Sequence, residues 1–242
     1  MTFKLLSTGN PKTLKGEKQG YMTYILHLSP SDVSGAGNTC PKATAGCKAA
    51  CLNTAGRGGM FKRGETTNTI QKARIRKTVQ FFFDRDSFMT DLAIDIAKAR
   101  AQAERKGLIP VFRLNGTSDL SWEKYAVPGF VGMNIFEINP GVQFYDYTKI
   151  LGRKVSHIPN YHLTFSAADG NDADVNKAIE QGMNVTVVFD KTPTEYKGRT
   201  VFDGDESDLR FLDPSNVVVG LKAKGKAKKD TTGFVVFIKE AA

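Results

Sequence analysis

Cys40, Cys47 and Cys51 are the only thiols in a chain of 242 residues, and they fall in one short stretch with the spacing C-x6-C-x3-C. Three thiols cannot pair completely as disulfides, so the set reads as a ligand group better than as a framework of bridges. Glycines at 35, 37, 46, 56, 58 and 59 surround them, and the segment 35–59 is expected to be a loop free to wrap a bound group. Lys42, Lys48 and Arg57 lie in the same stretch and would favour the thiolate form, which is the ligating one. Zinc held by three cysteines and one histidine is one reading of the set. No histidine follows at finger spacing, and His27 or His162 would have to complete it. A single histidine at either place is equally what an ordinary structural residue looks like.

A second polar group stands at Asn115-Gly116-Thr117-Ser118-Asp119. Gly116 would let backbone approach a ligand, while Thr117, Ser118 and Asp119 offer hydroxyl and carboxylate groups. The same residues would also suit a plain helix-capping turn.

These groups need elements to position them. Residues 1–19 are polar and lysine-rich and read as an arm or a short edge element. Residues 21–28 read as a strand, so the cysteine loop leaves the C-terminal end of the first clear strand. Ile70, Ala73, Val79 and Phe83 mark one helix within 67–106, and Phe88, Leu92, Ile96 and Ala99 mark a second. Asp86 or Ser87 is placed to cap the second helix and Gly107 to close it. Five more strand-like runs follow at 110–115, 142–149, 161–166, 185–190 and 216–222, with an extra one at 233–239. Helical stretches are expected at 122–127, 150–156 and 172–182, the last capped by Asn171 or Asp172. Residues 191–213 are too polar for a crossover helix and suit an insertion or a hairpin. Alternating strands and helices predict an α/β fold with a parallel sheet, a partial (β/α)6 TIM-like barrel spanning 20–242 as one domain.

In a barrel, alternate strand residues face inward. One register places Arg113 and Asn115, then Tyr145, Tyr147 and Lys149, then His162, Thr164 and Ser166 on the inner side. It adds Thr186, Val188 and Asp190, and finally Val218, Gly220 and Lys222. Phe112, Leu114, Phe144, Leu163, Phe165, Val187, Phe189, Val219 and Leu221 then lie under helices. Such an interior is more polar than a packed barrel core, and each buried group without a partner would cost about 1–3 kcal/mol. A one-residue slip reverses any such assignment.

Lys and Arg number 34 against 25 Asp and Glu, a net charge of +9. Part of the excess is the lysine run at 222–229. A basic chain is compatible with a nucleic-acid partner, and equally with a soluble basic surface. Aromatics beside basic residues, at Phe61-Lys62-Arg63 and from Tyr145 to Lys149, could stack on bases. No apolar run approaches the ~20 residues of a membrane span, and the first residues lack a secretory leader's apolar core. The expected compartment is the cytoplasm, where thiols stay reduced.

A three-cysteine loop after the first strand, CPKATAGCKAAC, followed by FRLNGTSDLSWEKY and FYDYTK, resembles the radical S-adenosylmethionine superfamily. It resembles more closely the uncharacterised phage three-cysteine proteins of the "gene product eighty-eight" family. The resemblance implies that Cys40, Cys47 and Cys51 hold three irons of a [4Fe-4S] cluster. S-adenosylmethionine would bind the fourth iron and be cleaved to a 5′-deoxyadenosyl radical. The loop with Asn115, Gly116, Thr117 and Ser118 would contact the methionine end, and Ser166, Gly220 and Lys222 the ribose and adenine. Arg113, Asp119, Tyr147 and Lys149 are the substrate-facing candidates, and a host electron donor is implied. The spacing is wider than the superfamily's C-x3-C-x2-C, Ala50 stands where an aromatic precedes the last cysteine, and NGTSD replaces GGE. Three functions follow as expectations. One is a cluster enzyme acting on an unknown substrate. The others are a basic nucleic-acid-binding phage protein with a structural zinc, and a catalytically inactive barrel used for interaction.

Overall fold

All six strands expected as the repeating units form. In a computed structural model of the chain, residues 4–9 and 11–238 are described. Positions 1–3 and 10 of the expected arm, and position 239 of the expected last strand, lie outside them. In chain order the elements are β1 (Leu6–Ser7), α1 (Pro11–Glu17), β2 (Tyr21–Leu26), α2 (Ala45–Ala49), α3 (Thr69–Phe83), α4 (Arg85–Glu104) and β3 (Ile109–Arg113). There follow β4 (Gln143–Thr148), β5 (Tyr161–Ser166), α5 (Asp172–Glu180), β6 (Val185–Phe189), β7 (Glu195–Tyr196), β8 (Arg199–Asp203), β9 (Val218–Lys222) and β10 (Val235–Val236). The fold is mixed α/β with largely parallel strand pairing. The chain divides into two compact units, one running up to Pro41 with Leu52–Asp146 and Arg153–His162, the other holding Lys42–Cys51, Tyr147–Gly152 and the residues from Leu163 on.

In the first unit β1 runs antiparallel to β2, which pairs in parallel with β3, and β3 pairs in parallel with β4. One face of these strands is aromatic: Tyr24 stacks on Phe112 at 5.4 Å between centroids, and Phe112 meets Phe144 at 5.5 Å. Phe136 then packs on Phe144 and stacks on Tyr161. Helix α4 buries Phe88, Leu92, Ile96 and Ala99, the expected stripe. Its cap is Asp84, whose carboxylate accepts from Ser87 N, and not Asp86 or Ser87. Gly107 ends it at φ 66°, with Leu108 N bonded to Ala103 O. Helix α3 turns a different face inward from the expected one. Gln71, Thr78 and Phe81 are buried, while Phe83 is 76% exposed. Polar Gln71 and Thr78 go inside because each finds a backbone partner, Gly58 O and Ser29 N respectively. The expected helix at 122–127 is a single 3-10 turn, Trp122–Lys124, with the Trp122 side chain fully buried.

In the second unit β6 is central. It pairs in parallel with β5, with β9 and, at its C-terminal end, with β10. Phe165, Val185, Val187, Phe189 and Val218 pack with Val175 and Ala178 of α5. On the opposite side of β6, Val188 packs with Ala223, Ala227 and Val235. The 191–213 segment contains a hairpin, β7 and β8, which turns through Lys197 at φ 51° and Gly198 at φ 73°, a two-residue turn with both central residues left-handed. No helix forms at 150–156, where the chain makes turns.

The register corrects one part of the sequence reading. Val187 lies beside Gly220 and Phe189 beside Lys222 on parallel neighbours. Gly220 and Lys222 therefore share the face of Val187 and Phe189 under α5, not the face of Thr186 and Val188. Val218, read as inward, belongs to the α5 core. The run VVVGLK is apolar on both faces, so its alternation carried no signal that could fix the register.

Candidate functional site

In the first unit, the loop carrying Cys40 and the loop 115–119 are sewn to the end of β2. Gly116 N donates to Leu26 O at 3.0 Å, Thr117 Oγ1 to Leu28 O at 2.5 Å, and Thr39 Oγ1 to Ser29 O at 2.7 Å. Asp119 N reaches Thr39 O at 2.8 Å, tying the two loops directly. Cys40 Sγ thus stands 3.7 Å from both Thr117 O and Thr39 Oγ1, and Cys40 N is held by Asn38 Oδ1 at 2.8 Å. Two motifs 77 residues apart in sequence meet here.

Asn115 and Ser118 are committed to the loop's own shape. Asn115 Oδ1 accepts from Leu120 N, Ser118 Oγ and Trp122 Nε1, and Asn115 Nδ2 donates to Leu120 O. Gly116 is required by the packing of the loop itself. A Cβ there would lie 2.5 Å from Ile25 Cγ2 and 2.8 Å from Leu26 O, so the glycine admits the loop against β2. Thr117, Ser118 and Asp119 are all nearly buried. Arg113, half-buried, lies on the face of Ile25 and Tyr145.

Sequence reasoning missed the buried group behind this loop. Asp146, fully buried, accepts from Asn115 N at 2.7 Å and from Tyr161 Oη at 3.0 Å. Arg153 bridges Tyr161 Oη to Glu123, donating to both. Burial pushes the Asp146 carboxyl up to about 7, against the pull of the Asn115 amide and of the Arg113 and Arg153 charges. A lone acid in the apolar run FYDYT was the available signal. His27 lies in this unit too, its Nδ1 3.3 Å from Ser7 Oγ. Burial, then the charges of Arg74, Arg113 and Lys77, push its imidazole down to about 3, so it is neutral.

In the second unit, Cys47 rides on α2 and Cys51 follows just after it. Thr44 caps the helix, its hydroxyl accepting from Cys47 N at 3.2 Å. Asp169, on the loop after β5, accepts from Thr44 Oγ1 and, at 3.0 Å, from Gly46 N. Burial would raise its carboxyl, but the donors Thr44, Gly46 and Cys47 hold it below the usual range. Gly46 is seated tightly: a Cβ would come 2.1 Å from Thr232 Oγ1, 2.6 Å from Asp169 Oδ1 and 2.7 Å from Phe234 Cβ. Asp169, Thr232 and Phe234 carry no motif, and only the folded chain reveals them.

Lys149 and Ser166 are brought together, Lys149 Nζ donating to Ser166 Oγ at 3.3 Å, while Asn171 Nδ2 braces Ser166 O at 3.0 Å. Tyr147 is half-buried at the end of β4. Gly220 faces Val201, Thr192 and Phe189, and exposed Lys222 donates its backbone N to Asp205, so neither joins Lys149 and Ser166.

Cys40 belongs to the first unit, Cys47 and Cys51 to the second. None of the three is in a disulfide, and all are half-buried. Among the described residues no three His, Cys, Asp or Glu side chains gather as a metal group, and no helix is long and apolar enough to cross a membrane. No curated protein and no solved structure matches the chain. The family model described as Gene product 88 matches residues 4–237, nearly the whole length, and the chain belongs to that family.

Proposed function

We propose that this is a phage iron–sulfur protein in which Cys40, Cys47 and Cys51 hold three irons of one [4Fe-4S] cluster. The observation that carries the reading is the seating of Cys40 Sγ 3.7 Å from Thr117 O, beside the loop that the sequence singled out independently. The donor chemistry suits the group: three half-buried thiols outside any disulfide, the residue type that holds iron in such clusters. Dedicated supports hold each segment, Thr39 and Asn38 at Cys40 and the Thr44–Asp169 pair at Cys47.

When bound, the cluster would supply one-electron chemistry, and S-adenosylmethionine on its open iron would make this a radical enzyme in a partial (β/α)6 barrel. Six strands in the expected order support that extension, as does a loop after β3 lying against the first cysteine. Within it the chain's own residues bind and orient. The Thr117 carbonyl stands beside Cys40, and Lys149 with Ser166 offers a cation and a hydroxyl. Arg113, Asp119 and Tyr147 remain the candidates for contacting a substrate. The host cytoplasm and a host electron donor belong to the same reading.

Anaerobically purified or reconstituted protein is expected to hold about four irons and four sulfides per chain and to absorb near ~400 nm. Cys40→Ala, Cys47→Ala and Cys51→Ala should each lose that band. About one zinc and no sulfide would favour the structural-metal reading instead. Unchanged metal content in all three variants would overturn both.

A further inference from the structure

We propose that the N-terminal end of α3, with the turn strapped to it, is a binding surface for single-stranded nucleic acid. Residues 57–77 carry seven basic side chains against one carboxylate, Glu65, and so hold +6 of the chain's net +9. Five of these cations, Arg57, Lys62, Arg63, Lys72 and Arg76, are exposed. Among them stand two apolar side chains that water does not favour, Met60 at 69% and Phe61 at 43% exposure.

The fold gathers these groups by specific bonds. Asn68 caps α3 with its Oδ1 on Gln71 N, and its Nδ2 donates to the carbonyls of Arg57, Gly58 and Met60 at 3.1, 3.1 and 2.9 Å. Gln71 Nε2 adds a bond to Gly58 O, and Arg74 holds Asn53. The turn is thereby fixed along the first turns of the helix, and Phe61-Lys62-Arg63 leaves from beside the cap. The first turn of α3 holds no acidic residue, so its N-terminal dipole adds to the positive field. Lys72 and Arg76, one turn apart, repel each other in the free helix, a cost that binding to phosphate would relieve. Cations tracking a backbone, with an exposed ring between them, is the arrangement that binds single strands by charge and base stacking. A duplex would meet the charge but could not stack on Phe61.

The test uses the full chain and fluorescein-labelled single-stranded DNA of mixed sequence, with its duplex, read by anisotropy across a salt series. The single strand is expected to bind more tightly than the duplex. Lys62→Glu with Arg63→Glu should weaken binding at least about ten-fold and lower the salt slope by about 1.4, at ~0.7 for each phosphate no longer neutralised. Phe61→Ala should weaken single-strand binding about five-fold or more with the slope unchanged. The same charge change in the other lysine run, Lys226→Glu with Lys228→Glu, should leave affinity within about two-fold. Equal losses from both charge reversals, a preference for duplex with Phe61→Ala neutral, or no binding at low salt would each overturn the proposal. Iron content plays no part in this readout, so the two proposals stand or fall separately.

Discussion

At Gly116 a single methyl group is enough to force the loop off β2. It would meet Ile25 Cγ2 at 2.5 Å, His27 Cδ2 at 2.9 Å and, less forgivingly, the backbone carbonyl of Leu26 at 2.8 Å. Gly116→Ala is expected to cost about 1–3 kcal/mol in urea unfolding, and a cost near zero would refute the close packing. Asp146 makes a different residue-scale prediction. Held at about 7 against an ordinary 3.8, its carboxyl keeps a proton in the folded chain that the unfolded chain releases. Between about pH 4 and 7 the folded state binds more protons, so this residue's contribution to stability falls as pH rises through that window. Asp146→Asn stays neutral throughout. The melting temperature of the variant minus that of the wild type should therefore climb from about pH 5 to about pH 8; a flat difference would show that the carboxyl is ionised when folded. The acid was visible in the sequence, but its fate was not, because burial and the Tyr161 and Asn115 bonds come from residues 15 and 31 positions away.

At the scale of elements, α2 is too short to be stable alone, and its place depends on what is docked against it. Asp169→Ala removes the acceptor for Thr44 Oγ1 and Gly46 N. Alkylation of Cys47 and Cys51 in the metal-free protein should accelerate by about ten-fold, the equivalent of one hydrogen bond to a charged group. Cys40, which Asp169 does not support, serves as the internal reference. Equal acceleration of all three thiols would mean general loosening and not loss of a dock. Element legibility followed packing. The α4 stripe Phe88, Leu92, Ile96 and Ala99 was readable because apolar periodicity and burial agree. Helix α3 was misread because buried Gln71 and Thr78 satisfy backbone groups brought from elsewhere, and periodicity cannot see a partner. The same holds for β9, whose two apolar faces made either register plausible until pairing with β6 chose one.

At the scale of the whole chain, the last described segment acts at a distance from its place in sequence. Asp230 accepts from Thr232, Gly233 and Val235, and this turn sends β10 onto β6 and Phe234 against Gly46. Ending the chain after Lys229 exposes Val188, Ala223 and Ala227 and removes buried Val235. A loss of about 2–4 kcal/mol is expected in chemical denaturation, with faster alkylation of Cys47 and Cys51. What the sequence determined by itself was the local chemistry: three thiols that cannot all pair, six strand-forming runs, the α4 helix, a net positive charge and the resemblance of its motifs to the family whose model spans residues 4–237. These depend on composition, spacing and period, all of which are local. Only tertiary structure decided which strand faces share a side, that Cys40 meets Thr117, that Asp169 and the 230–234 turn seat α2, and that Asp146 is enclosed. Each of those joins residues far apart in the chain, and each partner's position is fixed by packing and backbone hydrogen bonds that no single segment encodes.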